Sequence, residues 1–497
     1  MKKTVLAFAA AVFAAALGAA ETRAPGAHDV CVTLDSHPEW VALRDRALAF
    51  ARNHMEKIGD DWDVQIVCMP KAGIIWQWDS CFMALYAGYT PENLNGLGNL
   101  NNLYRMQSPD GYVSMAYVYE TRKPAYGERV NPPLYAWVEW LYARRTGDKS
   151  RLPKAYDVAS RLWTWTKAHR ARKSNGLYWY EDTGSSGMDN SPRSGYFAED
   201  LKGSDVCFVD FCCQQVLAAR CLAKIAVAIG KKDEAPKWTA EADALAEKIN
   251  RLMWCEKTGF YHDVYIETNN KLAVKTAAAF WAIVSGVAND AQTAKLAAHL
   301  TNPATFGARH PVPTLSRDDP NYDPKGGYWL GGVWPPMNYM IVRGLRERGY
   351  RPLARDIARR HLSCMAELLG TKDYDTIWEC YSPDNAAPST DKVGELARRD
   401  FVGWGGLGPF VMLVEDVLGV DADALDGKIT WHLSELGRQG ISDLPFNGGS
   451  VTLRCEVKDT KNFSGTVKTD RPFTLEVISP DGSKKVVKAL AAGETAF

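Results

Sequence analysis

Asp205-Val-Cys-Phe-Val-Asp-Phe-Cys-Cys-Gln-Gln-Val-Leu-Ala-Ala-Arg-Cys-Leu-Ala-Lys-Ile-Ala-Val-Ala-Ile229 reads as a helix with apolar residues on every face. Such a helix has to be enclosed on all sides, and Gly230 stops it. Similar signals recur along the chain. Asp35 or Ser36 caps a first helix whose stripe is Trp40, Leu43, Ala47, Phe50 and Ala51. Residues 76–89, 93–106, 132–146, 151–171, 235–254, 272–287, 291–300, 328–348, 352–369 and 401–418 continue the series. That makes roughly a dozen helices with almost no strand pattern between them. All-apolar and amphipathic helices alternate, which fits a ring of inner helices enclosed by outer ones. The loops at one end of such a ring converge on a central cleft. From about Lys428 the period changes to two in T-L-R-C-E-V, S-G-T-V-K-T and F-T-L-E-V-I, with turns at Asn447-Gly448-Gly449 and Pro480-Asp481-Gly482. The expected organisation is mainly α: a short tail over 21–36, a helical toroid over 37–427 and a small C-terminal β-sandwich over 428–497.

The 497 residues carry 59 Lys+Arg and 59 Asp+Glu. A formal charge of zero argues against a nucleic-acid or polybasic membrane-surface partner, since both need a positive field. It leaves a neutral sugar open, and 17 Trp with 21 Tyr offer flat faces suited to pyranose rings. Residues 1–20 read as a cleaved export signal: Lys2 and Lys3, an apolar run from Val5 to Leu17, then Gly18-Ala19-Ala20. A periplasmic or secreted protein is expected, with no membrane span. The 11 cysteines are an odd number. Cys81, Cys207, Cys212, Cys213 and Cys221 read as small buried hydrophobes. Cys31 with Cys68 is the first pair to test for a disulfide. No His/Cys cluster suggests a metal, and no cofactor is expected.

The chemistry is carried by loops. Thr-Gly-Ser-Ser-Gly-Met-Asp-Asn-Ser-Pro-Arg, 183–193, cannot be helix or strand. At its centre Asp189 stands between Tyr178, Trp179 and Tyr180 on one side and Tyr196 and Phe197 on the other. Aromatic surroundings would strip part of its hydration and make it a usable proton donor. Glu379, in T-I-W-E-C-Y-S-P-D, is a second loop carboxylate, and Asp79, after Trp76 and Trp78, is a third. Gly326 to Tyr339, G-G-Y-W-L-G-G-V-W-P-P-M-N-Y, offers close backbone approach, the rings of Trp329 and Trp334, and the amide of Asn338. Each loop alone is explained as a turn or as packing; four acid or aromatic loops at the helix ends of one ring fit a glycoside-cleaving pair of acids better.

W-Q-W-D-S, S-G-M-D-N-S-P-R, G-G-Y-W-L-G-G-V-W-P-P-M-N-Y, W-E-C-Y and F-V-G-W, taken in this order, resemble the signatures of (α/α)6-barrel glycosidases. These are the trehalases, processing α-glucosidases and mannosylglycerate hydrolases of glycoside hydrolase families 37 and 63, with family 63 the nearer. The resemblance spans about residues 70–418 and implies an inverting α-glycosidase with Asp189 as general acid and Glu379 as general base. It also implies that Trp76, Trp78, Asp79, Gln107, Trp329, Trp334 and Asn338 line the sugar pocket, joined from the same motifs by Asn190, Arg193, Tyr381 and Trp404. Met188, Leu330 and Gly332 depart from the usual pattern, so the sugar is left open. Two other readings stand beside it. A polysaccharide lyase on a similar toroid could recruit Arg105, Arg122, Arg129 and His310, and a carbohydrate-binding protein could keep the cleft without catalysis.

Overall fold

The computed structural model describes residues 30–69, 73–91, 94, 96–193 and 203–497. The expected export signal, and Tyr196 and Phe197, lie outside the described residues.

The chain is mainly helical with strands gathered at its C-terminal end. The helices alternate in burial. Outer helices bury one face: α1 (Pro38–Asn53), α3 (Leu97–Arg105), α5 (Leu152–Arg170), α7 (Ala235–Leu252), α9 (Asp290–Thr301) and α11 (Arg351–Ala366). Between them run helices buried over most of their surface: α2 (Gln77–Ala84), α4 (Tyr135–Thr146), α6 (Val209–Ala228), α8 (Trp281–Val284) and α10 (Pro335–Glu347). A π-wound segment, Leu407–Val417, is buried throughout. The inner elements touch in sequence, α2 on α4, α4 on α6, α6 on α8, α8 on α10 and α10 on the π-wound segment, and Trp404–Gly406 returns to α2. This is the arrangement that an all-apolar α6 demands, because lateral neighbours cover every face. By length and apolar composition α6 could also cross a membrane, but most of it is enclosed by protein.

Several expected helices are shorter in the structure, 76–89 winding only over Gln77–Ala84. Only Ala277–Val284 of 272–287 winds, because Leu272 N–H donates to Asp263 O and Ala277 N–H to Thr314 O, so neighbouring loops hold the start extended. Residues 328–334 are not helical: Gly326, Gly327, Tyr328 and Gly331 all have positive φ (110°, 48°, 64° and 152°), a run no right-handed helix contains.

Four two-stranded ribbons lie within the helical body, and the other strands form two larger sheets. One joins β1 (Cys31–Leu34), β4 (Gly437–Phe446), β5 (Gly449–Val457), β6 (Phe463–Thr469) and β9 (Gly493–Ala496) in antiparallel order. The other is β2 (Val420–Asp423), β3 (Lys428–His432), β7 (Phe473–Ile478) and β8 (Lys485–Leu490), with β3 and β7 parallel. The region read as a tail therefore holds an edge strand, Cys31 opposite Ser442, and the C-terminal strands begin at Val420, ahead of Lys428. The Cys31–Cys68 pairing is not formed: Cys68 is a buried thiol that hydrogen-bonds the Asp79 carboxylate inside the helical body.

Candidate active site

Asp79 lies in the first turn of α2, with Trp76 at its N-cap. Its carboxyl is buried, its Oδ1 has no hydrogen-bond partner among the described residues, and burial pushes its pKa up to about 7; the Cys68 hydrogen bond opposes that shift and the charge of Glu379 adds to it. Asp79 and Glu379 are thus electrostatic neighbours although 300 residues of sequence separate them.

Glu379 is held by its backbone and its side chain together. Its N–H donates to Arg398 O at 2.9 Å, and Trp404 Nε1–H donates to its carbonyl at 2.8 Å. Its carboxylate is only 3% exposed and faces Arg398 Nη1 at 3.4 Å. Tyr328 donates its hydroxyl to Oε1 at 3.0 Å. Backbone pairing between Val333 and Tyr381 (2.8 and 3.0 Å) and from Tyr328 N–H to Thr390 O (2.6 Å) brings the glycine loop to this acid. Gly332 shows how tightly that loop is wound, since a Cβ there would stand 2.2 Å from Tyr328 O. Burial raises the Glu379 pKa above the ordinary carboxylate value, Arg398 and the Tyr328 hydrogen bond pull it back, and the charge of Asp189 raises it further.

Asp189 is reached from Glu379 through Tyr328. Lys392 places its ammonium 2.6 Å from Asp189 Oδ2 and 5.4 Å from the Tyr328 ring centre. The aromatic enclosure expected around Asp189 is not what surrounds it. Its side chain is 36% exposed, and Tyr180 stacks on Phe211 with ring centres 4.0 Å apart, turned into the core.

The 183–193 loop is fixed at many points. Thr183 Oγ1–H donates to Asp189 O at 2.6 Å, and Asn131 Nδ2–H donates to Ser185 O at 2.9 Å. Gly187 has φ +80°, and a Cβ on it would stand 3.1 Å from Trp78 Cε2. Gly187→Ala therefore meets both backbone strain and a ring, and it should destabilise the protein by about 1–3 kcal/mol, read as a lower melting temperature. An unchanged melt would mean that the loop yields at no cost.

Several residues expected to touch sugar hold the frame instead. Asn190 donates to Gly327 O and accepts from Trp329 N–H, both at 2.9 Å, tying the acid loop to the glycine loop. Arg193 is fully buried between Asp210 and Asp263. Asn338 accepts from Val312 N–H at 2.8 Å and donates to Pro311 O at 2.5 Å, so its amide is used inside the core. Trp329 and Trp334 stack on each other at 3.9 Å and are 1% exposed, leaving no open ring face. Tyr381 is buried beside His310, their ring centres 5.3 Å apart, and Trp404 is buried beneath Glu379. Gln107 Nε2–H donates to Gly111 O and Val158 O, joining a turn to α5. Trp76 and Trp78 differ: their indole N–H groups are buried without a partner among the described residues, as Asp79 Oδ1 is. Two donors and an acceptor near a buried acid suit the hydroxyls of a bound polyol. Tyr328, Lys392, Arg398 and Cys68 were missed as site residues; for Tyr328 the signal was present, a non-glycine inside a glycine run.

The profile of the mannosylglycerate hydrolase MGH1-like glycoside hydrolase domain matches residues 73–401. An uncharacterized protein of Borreliella burgdorferi is 25% identical over 81% of this chain and 84% of its own length. A mannosylglycerate hydrolase of Thermus thermophilus is 28% identical over 38% of this chain and 43% of its own. The crystal structure of a family 63 mannosylglycerate hydrolase from Thermus thermophilus in complex with glucose superposes with a TM-score of 0.61 at 22% identity, covering 74% of this chain and 99% of that one, a likeness of fold. With a family match over most of the helical body, the chain belongs to the mannosylglycerate hydrolase MGH1-like glycoside hydrolases and is a glycosidase.

Proposed function

We propose that the protein is an exported, inverting α-glycosidase that hydrolyses a small α-linked glucoside or mannoside within an (α/α)6 barrel. Asp189 is the general acid and Glu379 the general base. The observation that carries this reading is the chain Glu379–Tyr328–Lys392–Asp189, which sets two carboxylates from distant loops around one tyrosine. The glycosidic oxygen takes the place of Lys392 at Asp189 and receives its proton as the bond to the anomeric carbon breaks. Glu379 takes a proton from the water that attacks that carbon from the opposite face. This geometry needs the carboxyls about 6.5–9.5 Å apart. A raised pKa strengthens Glu379 as the acceptor of that water's proton. Asp79 and the indole N–H groups of Trp76 and Trp78 bind sugar hydroxyls.

Hydrolysis of α-gluco-, α-manno- and α-galacto-disaccharides followed by NMR tests the reading. The β-anomer should appear first. The α-anomer first would mean retention, and an unsaturated uronate product from acidic polymers would mean a lyase. Export predicts a mature N-terminus at Glu21 in the secreted or periplasmic fraction.

The pH profile tests the base. Glu379 must be ionised, so activity is lost as pH falls through its pKa, and the raised value puts the acid limb of kcat/KM above the ordinary Glu value of about 4.3. Tyr328 holds that pKa down. Tyr328→Phe should therefore move the acid limb to higher pH and lower kcat about tenfold at neutral pH. An unmoved limb would remove Glu379 from the base role.

A further inference from the structure

Asp79 sits at the N-terminal end of α2, and Glu379, in a loop, accepts at its carbonyl from Trp404, which precedes the π-wound segment. At the opposite end, where the last turns of α4 and α10 meet β2, lies a cavity of about 650 Å³. It shares none of the residues assigned above to the reaction. Its lining is strongly cationic, and most of the cations are matched. Arg144 donates to Asp423 at 2.7 Å and pairs with Asp421 at 3.4 Å. Arg346 pairs with Glu415 and Asp416, both at 2.6 Å, and Arg343 with Glu415 and Glu347 at 3.2 and 2.8 Å. Arg348 pairs with Asp290 at 2.6 Å, and Arg220 donates to Ser285 O at 2.6 Å.

Two cations remain. Arg351, at the first residue of α11, makes no side-chain hydrogen bond or ion pair with the described residues, and its Nη1 is buried and unpartnered. Burial, then repulsion from Arg346, pulls its pKa down to about 10 against the partial attraction of Asp421 and Asp416. Lys224 on α6 is exposed, has no ion pair among the described residues and lies 5.9 Å over the ring of Trp140. Arg351 is half-buried, and a guanidinium with a buried, unpartnered Nη1 costs stability that a protein retains where a ligand anion completes it. Arginine and lysine together recognise phosphate or carboxylate, and a partly open indole suits the C–H face of a pyranose. The volume is that of a small-molecule site.

We propose that this cavity is a second, non-catalytic site for an anionic monosaccharide, with Arg351 and Lys224 on the anion and Trp140 against the ring. It would let a charged sugar occupy the enzyme without competing for the acids.

The test uses the full chain, with glucose 6-phosphate, glucuronate, glucose and inorganic phosphate at matched ionic strength, in calorimetry and thermal melts. Glucose 6-phosphate or glucuronate should bind at one site, and the tighter of the two identifies the anion as phosphate or carboxylate. Asp189→Asn should keep that binding. Arg351→Leu should weaken it by at least about tenfold and, because it removes a half-buried cation repelled by Arg346, should raise the melting temperature of the free protein. No binding of either acidic sugar, or binding by Arg351→Leu within twofold of wild type, overturns the proposal. Loss of binding in Asp189→Asn would place the ligand at the acids and overturn it too. Inorganic phosphate binding as tightly as glucose 6-phosphate would overturn the role of the ring.

Discussion

Glu379→Gln lowers kcat/KM for an α-linked disaccharide by about 10³-fold or more, the upper part of the range for a positioned acid or base, and Asp189→Asn does the same for that substrate. The two variants part company when the leaving group changes. A nitrophenyl glycoside leaves as a stable phenolate and needs little protonation, so Asp189→Asn should recover much of its rate on it. Glu379→Gln should not, because water must still be deprotonated at the anomeric carbon. A small anion such as azide can replace that water without a base, so azide should restore Glu379→Gln and yield a glycosyl azide, while leaving Asp189→Asn on the disaccharide unchanged. Both variants should keep their melting temperatures near wild type. Asp189 is partly exposed, and glutamine at 379 can still accept from Tyr328. If Asp189→Asn keeps the wild-type rate on the disaccharide, the acid is elsewhere; if azide rescues Asp189→Asn instead, the two roles are exchanged.

The alternation of burial was legible because an enclosed helix advertises itself in composition: α6 and α10 have few polar residues to spare for solvent. The C-terminal strands were legible for the same reason at period two. What the sequence hid was non-local. β1 is four residues whose partner, β4, lies at the other end of the chain, so no local signal distinguishes it from a tail. The start of 272–287 has a helical pattern, yet backbone bonds to Asp263 and Thr314 claim it first. At the site, acids and indoles clustered by motif did gather: Asp79 and Glu379 act on each other, and Glu379 and Asp189 on Tyr328. The motifs could not separate a residue that touches ligand from one that holds the residue that does. Asn190, Asn338 and Arg193 have polar groups enough for a sugar, and the fold uses those groups for itself. Lys392 and Arg398 belong to an exposed loop with no pattern of its own.

Arg193→Leu should be the most destabilising single change in the acid loop, by about 3–5 kcal/mol. The guanidinium is fully buried and donates to two carboxylates: Nη1 and Nη2 to Asp210, each at 2.7 Å, and Nε and Nη2 to Asp263, at 2.6 and 2.9 Å. Leucine fills much of the volume but leaves both acids buried without a counter-charge, and the cost lies mostly there rather than in the lost bonds. Asp263 also accepts from Val209 N–H at 2.8 Å, at the first residue of α6, so its reorientation loosens the start of the inner helix. Arg193→Lys keeps the charge but offers one ammonium where a planar fork met two carboxylates, and it should fall between wild type and Leu. Activity should fall further than stability alone explains, because Asp189 stands four positions upstream on the same loop and a shift of about 1 Å in a catalytic group costs on the order of 10²-fold. The measurements are thermal melts of the three proteins and kcat at a temperature where all are folded. If Arg193→Leu melts with wild type and keeps its kcat, the buried triad neither stabilises the loop nor aims the acid.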